Sequence, residues 1–173
     1  MKSIHNYRDL SLNHLSIMYR SEEQYITYLR VFGHKARTPA LRDLLMELMH
    51  AAYMKQEWMN TIFASMKAHP LRLSSEGING IFKEGFKLLH EDDKPTLADA
   101  TMMHTLVLTS YYKLGNYRTL LLYFHSLEFS EQAEQLQKII NAEENSLKKI
   151  SRLISDDYLL NVLDPHHKET LLL

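Results

Sequence analysis

Apolar side chains recur at three- and four-residue steps along most of the chain, the spacing of one face of an α-helix. Between Leu10 and Lys35 the face holds Leu12, Leu15, Met18, Tyr19, Tyr25, Ile26, Leu29 and Phe32, with Glu22 on the same stripe. Thr38 then offers an N-cap, and Pro39 stands at the first helical position, where its missing N–H costs nothing. A second helix to about Lys67 presents Leu41, Leu44, Leu45, Leu48, Ala51, Ala52, Lys55, Met59, Ile62 and Phe63, and His69-Pro70 ends it.

A shorter helix is predicted over 76–90. It carries Gly77, Gly80 and Gly85, three of the five glycines in the chain. Glycine weakens a helix by up to about 1 kcal/mol, so its density here predicts close packing against neighbouring helices. After the polar run 91–95, Thr96 and Asp99 have capping-box spacing and open a long helix to about Leu127. Ser130 caps another, to about Ile154, and a short helical turn is expected between Ser155 and Pro165. No alternating strand pattern appears, and no repeat of fixed period. The expected architecture is all-α: an antiparallel four-helix bundle of two hairpins, a short extra helix between them and a short C-terminal helix. It forms one domain over 1–173, with the bundle core at about 10–154 and a C-terminal helix and tail at 155–173.

The 173 residues, 45% hydrophobic and 24% charged, suit one soluble domain with a real core. The absence of Cys removes disulfides, thiol catalysis and cysteine-ligated metals. A net charge of −1 gives no general pull toward nucleic acid or anionic membrane. The opening residues lack a signal-peptide core and no stretch is long and apolar enough to span a bilayer, so a cytoplasmic location is expected. Methionines and tyrosines at helical spacing read as core filler. His104 reads as a core or boundary histidine, and His166-His167 as a tail pair able to catch metal adventitiously. No phosphate loop, nucleophile elbow or zinc-peptidase motif is present.

A four-helix bundle can carry a di-metal centre of inward carboxylates and Glu-x-x-His pairs. Glu47-Leu-Met-His50 is the one literal match. Other motifs together resemble the YciF-type ferritin-like bacterial stress proteins. Leu15-Ser-Ile-Met-Tyr19-Arg-Ser-Glu22-Glu-Gln24 is similar to that family's L-x-x-x-Y-x-A-E-x-Q, and Thr38-Pro39-Ala-Leu41 to its S-P-x-L. Ile78-Asn-Gly80-Ile-Phe-Lys-Glu84-Gly85 is similar to M-x-G-L-x-x-E-G. Asp99-Ala100 through Tyr112, then Tyr117-Arg-Thr119-Leu120, resembles D-A … E-H-Y-E-I … Y-G-T-L, and Glu143-Glu144 the family's paired acids.

The departures matter as much. The resemblance implies ligands on four helices, yet His50 or Ala51 and then Lys55 stand at the second-helix places. Ser110-Tyr111-Tyr112-Lys113 stands where the family has Glu-His-Tyr-Glu. Hairpin geometry sets Glu22 opposite Ala51 or Ala52, and Lys113 opposite Glu143 or Glu144. One reading is that Lys113, with Lys55, replaces a metal by salt bridges to buried glutamates, Tyr111 or Tyr112 donating hydrogen bonds. The other is that both lysines snorkel to water and the glutamates lie on the surface.

Two functions follow. One is a ferritin-like bundle that has lost its metal centre, with no cofactor and a structural, stress-related or partner-binding role. The alternative is a di-iron or other carboxylate-bridged protein, with oxidase-like or storage chemistry, using Glu22, Glu47, His50, Glu84 and Glu143 or Glu144. The resemblance also implies a homodimer. The run Leu120-Leu-Leu-Tyr-Phe124 leaves its helix apolar nearly all round, so burial on more than one side is expected there.

Overall fold

The computed structural model describes residues 4–90 and 95–155. Within them lie five helices and no strand: α1 Tyr7–Lys35, α2 Pro39–Ser65, α3 Glu76–His90, α4 Pro95–Ser126 and α5 Ser130–Ser155. The expected short C-terminal helix, the polar run 91–94 and His166-His167 fall outside the described residues. No helix among the described residues is long and apolar enough to cross a membrane.

The helix ends follow local chemistry. Asn6 caps α1, its Oδ1 accepting from the Asp9 N–H at 2.8 Å. Thr38 and Pro39 open α2 as their residue types dictate. The Asp99 carboxylate, read from its spacing as half of a capping box with Thr96, reaches instead to the other hairpin. Asp99 is buried and accepts from the backbone N–H groups of Arg37 at 2.8 Å and Thr38 at 3.0 Å. The start of α4 thus holds the turn between α1 and α2.

The hairpins α1–α2 and α4–α5 pack antiparallel, with α2 against α5 and α1 against α4. The link from α2 to α3 crosses α1 and is pinned by α1 side chains. Ser16 Oγ accepts from Leu71 N–H at 3.0 Å, and Gln24 Oε1 accepts from Ser75 N–H at 3.1 Å. Gln24 Nε2 and Tyr28 Oη both donate to Asn79 Oδ1, each at 2.8 Å, fixing the first turn of α3. Helix α3 then lies on α4 and α1. A Cβ at Gly77 would overlap the Tyr112 ring, and one at Gly85 would overlap Thr105. Gly80 differs, being exposed with nothing near its missing Cβ.

Helix α4 is covered on three sides, by α1, α3 and α5. Leu120 and Phe124 are buried, while Tyr123 packs its ring on Tyr7 and His14 of α1. Leu122 remains 65% exposed, so the apolar run is not buried all round. His104 is exposed and lines no core.

Candidate functional site

The core is two hydrophobic clusters with a polar layer between them. One cluster contains Tyr25, Leu29 and Phe32 from α1, Leu45, Leu48 and Ala52 from α2, Met103 and Leu106 from α4, and Ile150 from α5. The other contains Leu15 and Met18, Met59 and Phe63, Leu114 and Leu120, and Leu136 and Ile140 from the same four helices. In each helix one charged residue sits at the boundary: Glu22, Lys55, Lys113 and Glu143. Their side chains are 0–1% exposed.

The four charges form a closed set. Lys55 Nζ lies 2.9 Å from Glu22 Oε1 and donates a hydrogen bond to Glu143 Oε2. Lys113 Nζ lies 2.9 Å from Glu143 Oε2 and 3.3 Å from Glu22 Oε1. Each ammonium bridges both carboxylates, and the layer is electrically neutral. Tyr117 Oη donates to Glu22 Oε1 at 2.6 Å. The Tyr25 ring lies against the Lys113 ammonium, 3.7 Å from its centroid, a cation–π contact that stabilises a desolvated charge. Glu22 Oε2, Glu143 Oε1, Ser110 Oγ and Tyr25 Oη are buried without a hydrogen-bond partner among the described residues, and Lys113 Nζ meets the carboxylates as an ion pair without hydrogen-bond geometry.

Ionisation follows from this contest between burial and charge. Burial pushes the Glu143 carboxyl up, but Lys113 and Lys55 outweigh it and hold it at about 2. Burial likewise lowers Lys55, yet Glu143 and Glu22 raise it above the ordinary lysine value. For Lys113 burial wins, and its ammonium is held below the ordinary value despite the two glutamates. Burial, then the neighbouring carboxylates, raises Tyr25 and Tyr117 well above the ordinary phenol value. Both therefore remain neutral, and Tyr117 remains a donor to Glu22.

Of the sequence-derived ligand candidates, only Glu22 and Glu143 meet. Glu47 is exposed and pairs with Lys149 at 2.5 Å. His50 and Glu84 are exposed on the outer faces of α2 and α3. Glu144 forms a surface pair with Arg118 at 2.8 Å. No group of three or more His, Cys, Asp or Glu side chains converges among the described residues. The donor set does not fit a di-metal centre. Two carboxylates are too few, and two ammoniums beside them would repel a dication.

The hydrogen-bond donor to the layer also differs from the sequence reading. Tyr111 is 62% exposed, and Tyr112 packs toward α3, its Oη 3.4 Å from Ser75 Oγ. Tyr117, which the sequence reading used only as part of a family motif and not as a donor, is the donor. Its signal was its place one turn after Lys113, on the same helix face.

The helical order and the core place the chain in a known family of bundles. It belongs to the family described as Domain of unknown function (DUF892), whose model matches residues 6–162. Two solved structures share the fold. The E. coli stress protein YciF superposes with a TM-score of 0.85 at 17% identity, covering 91% of this chain and 99% of that chain. YcfI from Rhodopseudomonas palustris superposes with a TM-score of 0.83 at 21% identity, covering 87% and 96% respectively. No curated protein matches the chain. The YciF-type resemblance carried by the sequence motifs is borne out.

Proposed function

We propose that this chain is a ferritin-like bundle that works without a di-metal centre, as a non-catalytic structural or partner-binding protein. The observation that carries this reading is the double bridging of Glu22 and Glu143 by Lys55 and Lys113. Buried carboxylates need compensating positive charge. In a di-metal bundle the metal supplies it; here two ammoniums supply it, with Tyr117 and the Tyr25 ring in support. The same burial argues against chemistry at the layer. A substrate could touch these groups only if the helices parted.

A stress-related role is the natural extension, since one structural relative is named as a stress protein. Self-association belongs to the same reading. Leu108, Tyr111 and Leu122 are exposed along α4, an apolar stripe suited to a second copy.

The test is metal content of tag-free protein, followed by Fe(II) titration in air with optical absorption. The expected result is sub-stoichiometric metal and no new absorption band. Iron near about two ions per chain, lost in Glu22→Ala, would replace this reading with the di-iron alternative.

A further inference from the structure

A groove between α4 and α5 is apolar inside and cationic at its rim. Leu114 is buried in it and Leu147 half-buried, while Tyr111 at its edge is 62% exposed. Arg118, Lys148 and Arg152 line it against one acid, Glu144, a surplus of two positive charges. Arg118 is already paired with Glu144. No hydrogen bond or ion pair engages the Lys148 ammonium or the Arg152 guanidinium among the described residues. Ser155, the last residue of α5, lines the same groove. The chain continues from it as Asp156-Asp-Tyr-Leu-Leu-Asn-Val-Leu-Asp164, with three acids and no cation. Within that run Tyr158 and Val162, and Leu159 and Leu163, stand four apart, the spacing of one helix face.

We propose that this groove is the docking surface for the chain's own segment 156–164. The chemistries match: apolar side chains meet an apolar interior, and three acids meet the surplus cations. Burial of Tyr158, Leu159, Val162 and Leu163 supplies the driving force. Exposed ion pairs add little affinity, so the rim cations chiefly set register and orientation. A segment tethered at the edge of its own groove has an effective concentration in the millimolar range, so even weak docking is populated. Ser155, Asp156 and Asp157 are turn-favouring residue types, and a reversal there sets the segment antiparallel to α5. The groove runs about 16 Å along α5 from Glu144 to Ser155, and the nine residues 156–164 cover about 13 Å even as a helix. The inference is independent of the ionic layer. It takes Tyr111 out of the exposed α4 stripe and leaves Leu108 and Leu122 to a second copy.

The chain has no Cys, so Asn161→Cys gives the full chain a single attachment point for a nitroxide, which broadens the NMR signals of nearby amides. Tyr111, Leu147 and Ser151 should lose most of their amide intensity, while Glu131, about 25 Å from Lys148 along α5, should keep it. Lys148→Glu combined with Arg152→Glu should restore the lost intensity. Both positions are exposed, so that variant keeps the fold. Adding Asp156→Lys and Asp157→Lys to it should bring the broadening back. Full intensity at Tyr111 and Leu147 in the unreversed chain would overturn the proposal. So would broadening confined to the last turn of α5. A straight continuation of the helix would give that result, because residue 161 would then lie about 21 Å beyond Leu147. Nitroxide-bearing chain without isotope, mixed with isotope-labelled chain without nitroxide, should leave the groove amides sharp. Broadening in that mixture would assign the groove to a second copy's segment and overturn docking within one chain.

Discussion

Lys113 Nζ and Glu143 Oε2 lie 2.9 Å apart at the centre of the bundle, one on each arm of the α4–α5 hairpin. Neither side chain is accessible to water. Removing one partner therefore leaves a net buried charge, whereas removing both preserves neutrality through Lys55 and Glu22. Breaking a buried pair costs roughly 3–5 kcal/mol, while replacing the whole pair with apolar groups is often near neutral. Lys113→Met alone should lose about that much stability in urea denaturation. Lys113→Met with Glu143→Leu should lose clearly less than the sum of the single losses. Additive losses would mean that the two charges do not act as a pair.

The pH dependence carries a sign. Glu143 is held at about 2 against an ordinary value of 4.5, so the folded state favours its ionised form. The stability it contributes is complete above the ordinary value and is lost as pH falls toward 2. A shift of this size corresponds to stability on the order of 3 kcal/mol. Urea midpoints measured from pH 5 down to 2 should fall steeply for the unmodified chain. Glu143→Gln, weaker throughout, should show a flatter slope over that window. Parallel slopes would assign acid sensitivity to other carboxylates.

Much of this layer was legible from hairpin arithmetic. Counting outward from the α4–α5 turn sets Lys113 against Glu143 or Glu144, and burial selects Glu143. The sequence does not say where a lysine ends, because the same side chain either pairs inside or snorkels to water. Lys55 is decided by its helix face, which it shares with buried Ala52 and Met59. Tyr111 and Tyr112 are next to Lys113 in sequence but not on its face, since helix neighbours one and two apart diverge. The same geometry removes Glu47 and His50 from the core, because the inward positions of that stretch are Leu44, Leu45 and Leu48. Asp99 misled for a different reason. Its spacing from Thr96 is a local signal, while its partners, Arg37 and Thr38, come from a turn far away in sequence.

That long-range contact is itself testable. The Asp99 carboxylate satisfies two backbone donors where α2 begins, so α4 stabilises the turn of the other hairpin. Asp99→Ala removes both acceptors and leaves the N–H groups partly buried. A loss of about 1–3 kcal/mol is expected. Amide exchange of Arg37 and Thr38 should accelerate more than that of α2 residues such as Leu48. Uniform acceleration throughout would mean that the contact contributes only to global stability.

The glycines of α3 divide into two kinds, and alanine substitution should separate them by sign. At Gly85 an added Cβ would meet Thr105 Oγ1 and Cγ2. Thr105 cannot swing away easily, because it is short, β-branched and buried, and its hydroxyl donates to Thr101 O at 2.8 Å. Overpacking of this kind costs about 1–3 kcal/mol, more than the gain in helix propensity. Gly80 is exposed with no atom within 4 Å of its missing Cβ, so only the propensity gain remains. Gly85→Ala should therefore lower the thermal midpoint, and Gly80→Ala should raise it, by up to about 1 kcal/mol in stability. If both substitutions stabilise, α3 is not seated on α4 through Gly85, and the close approach at Thr105 is relieved without loss.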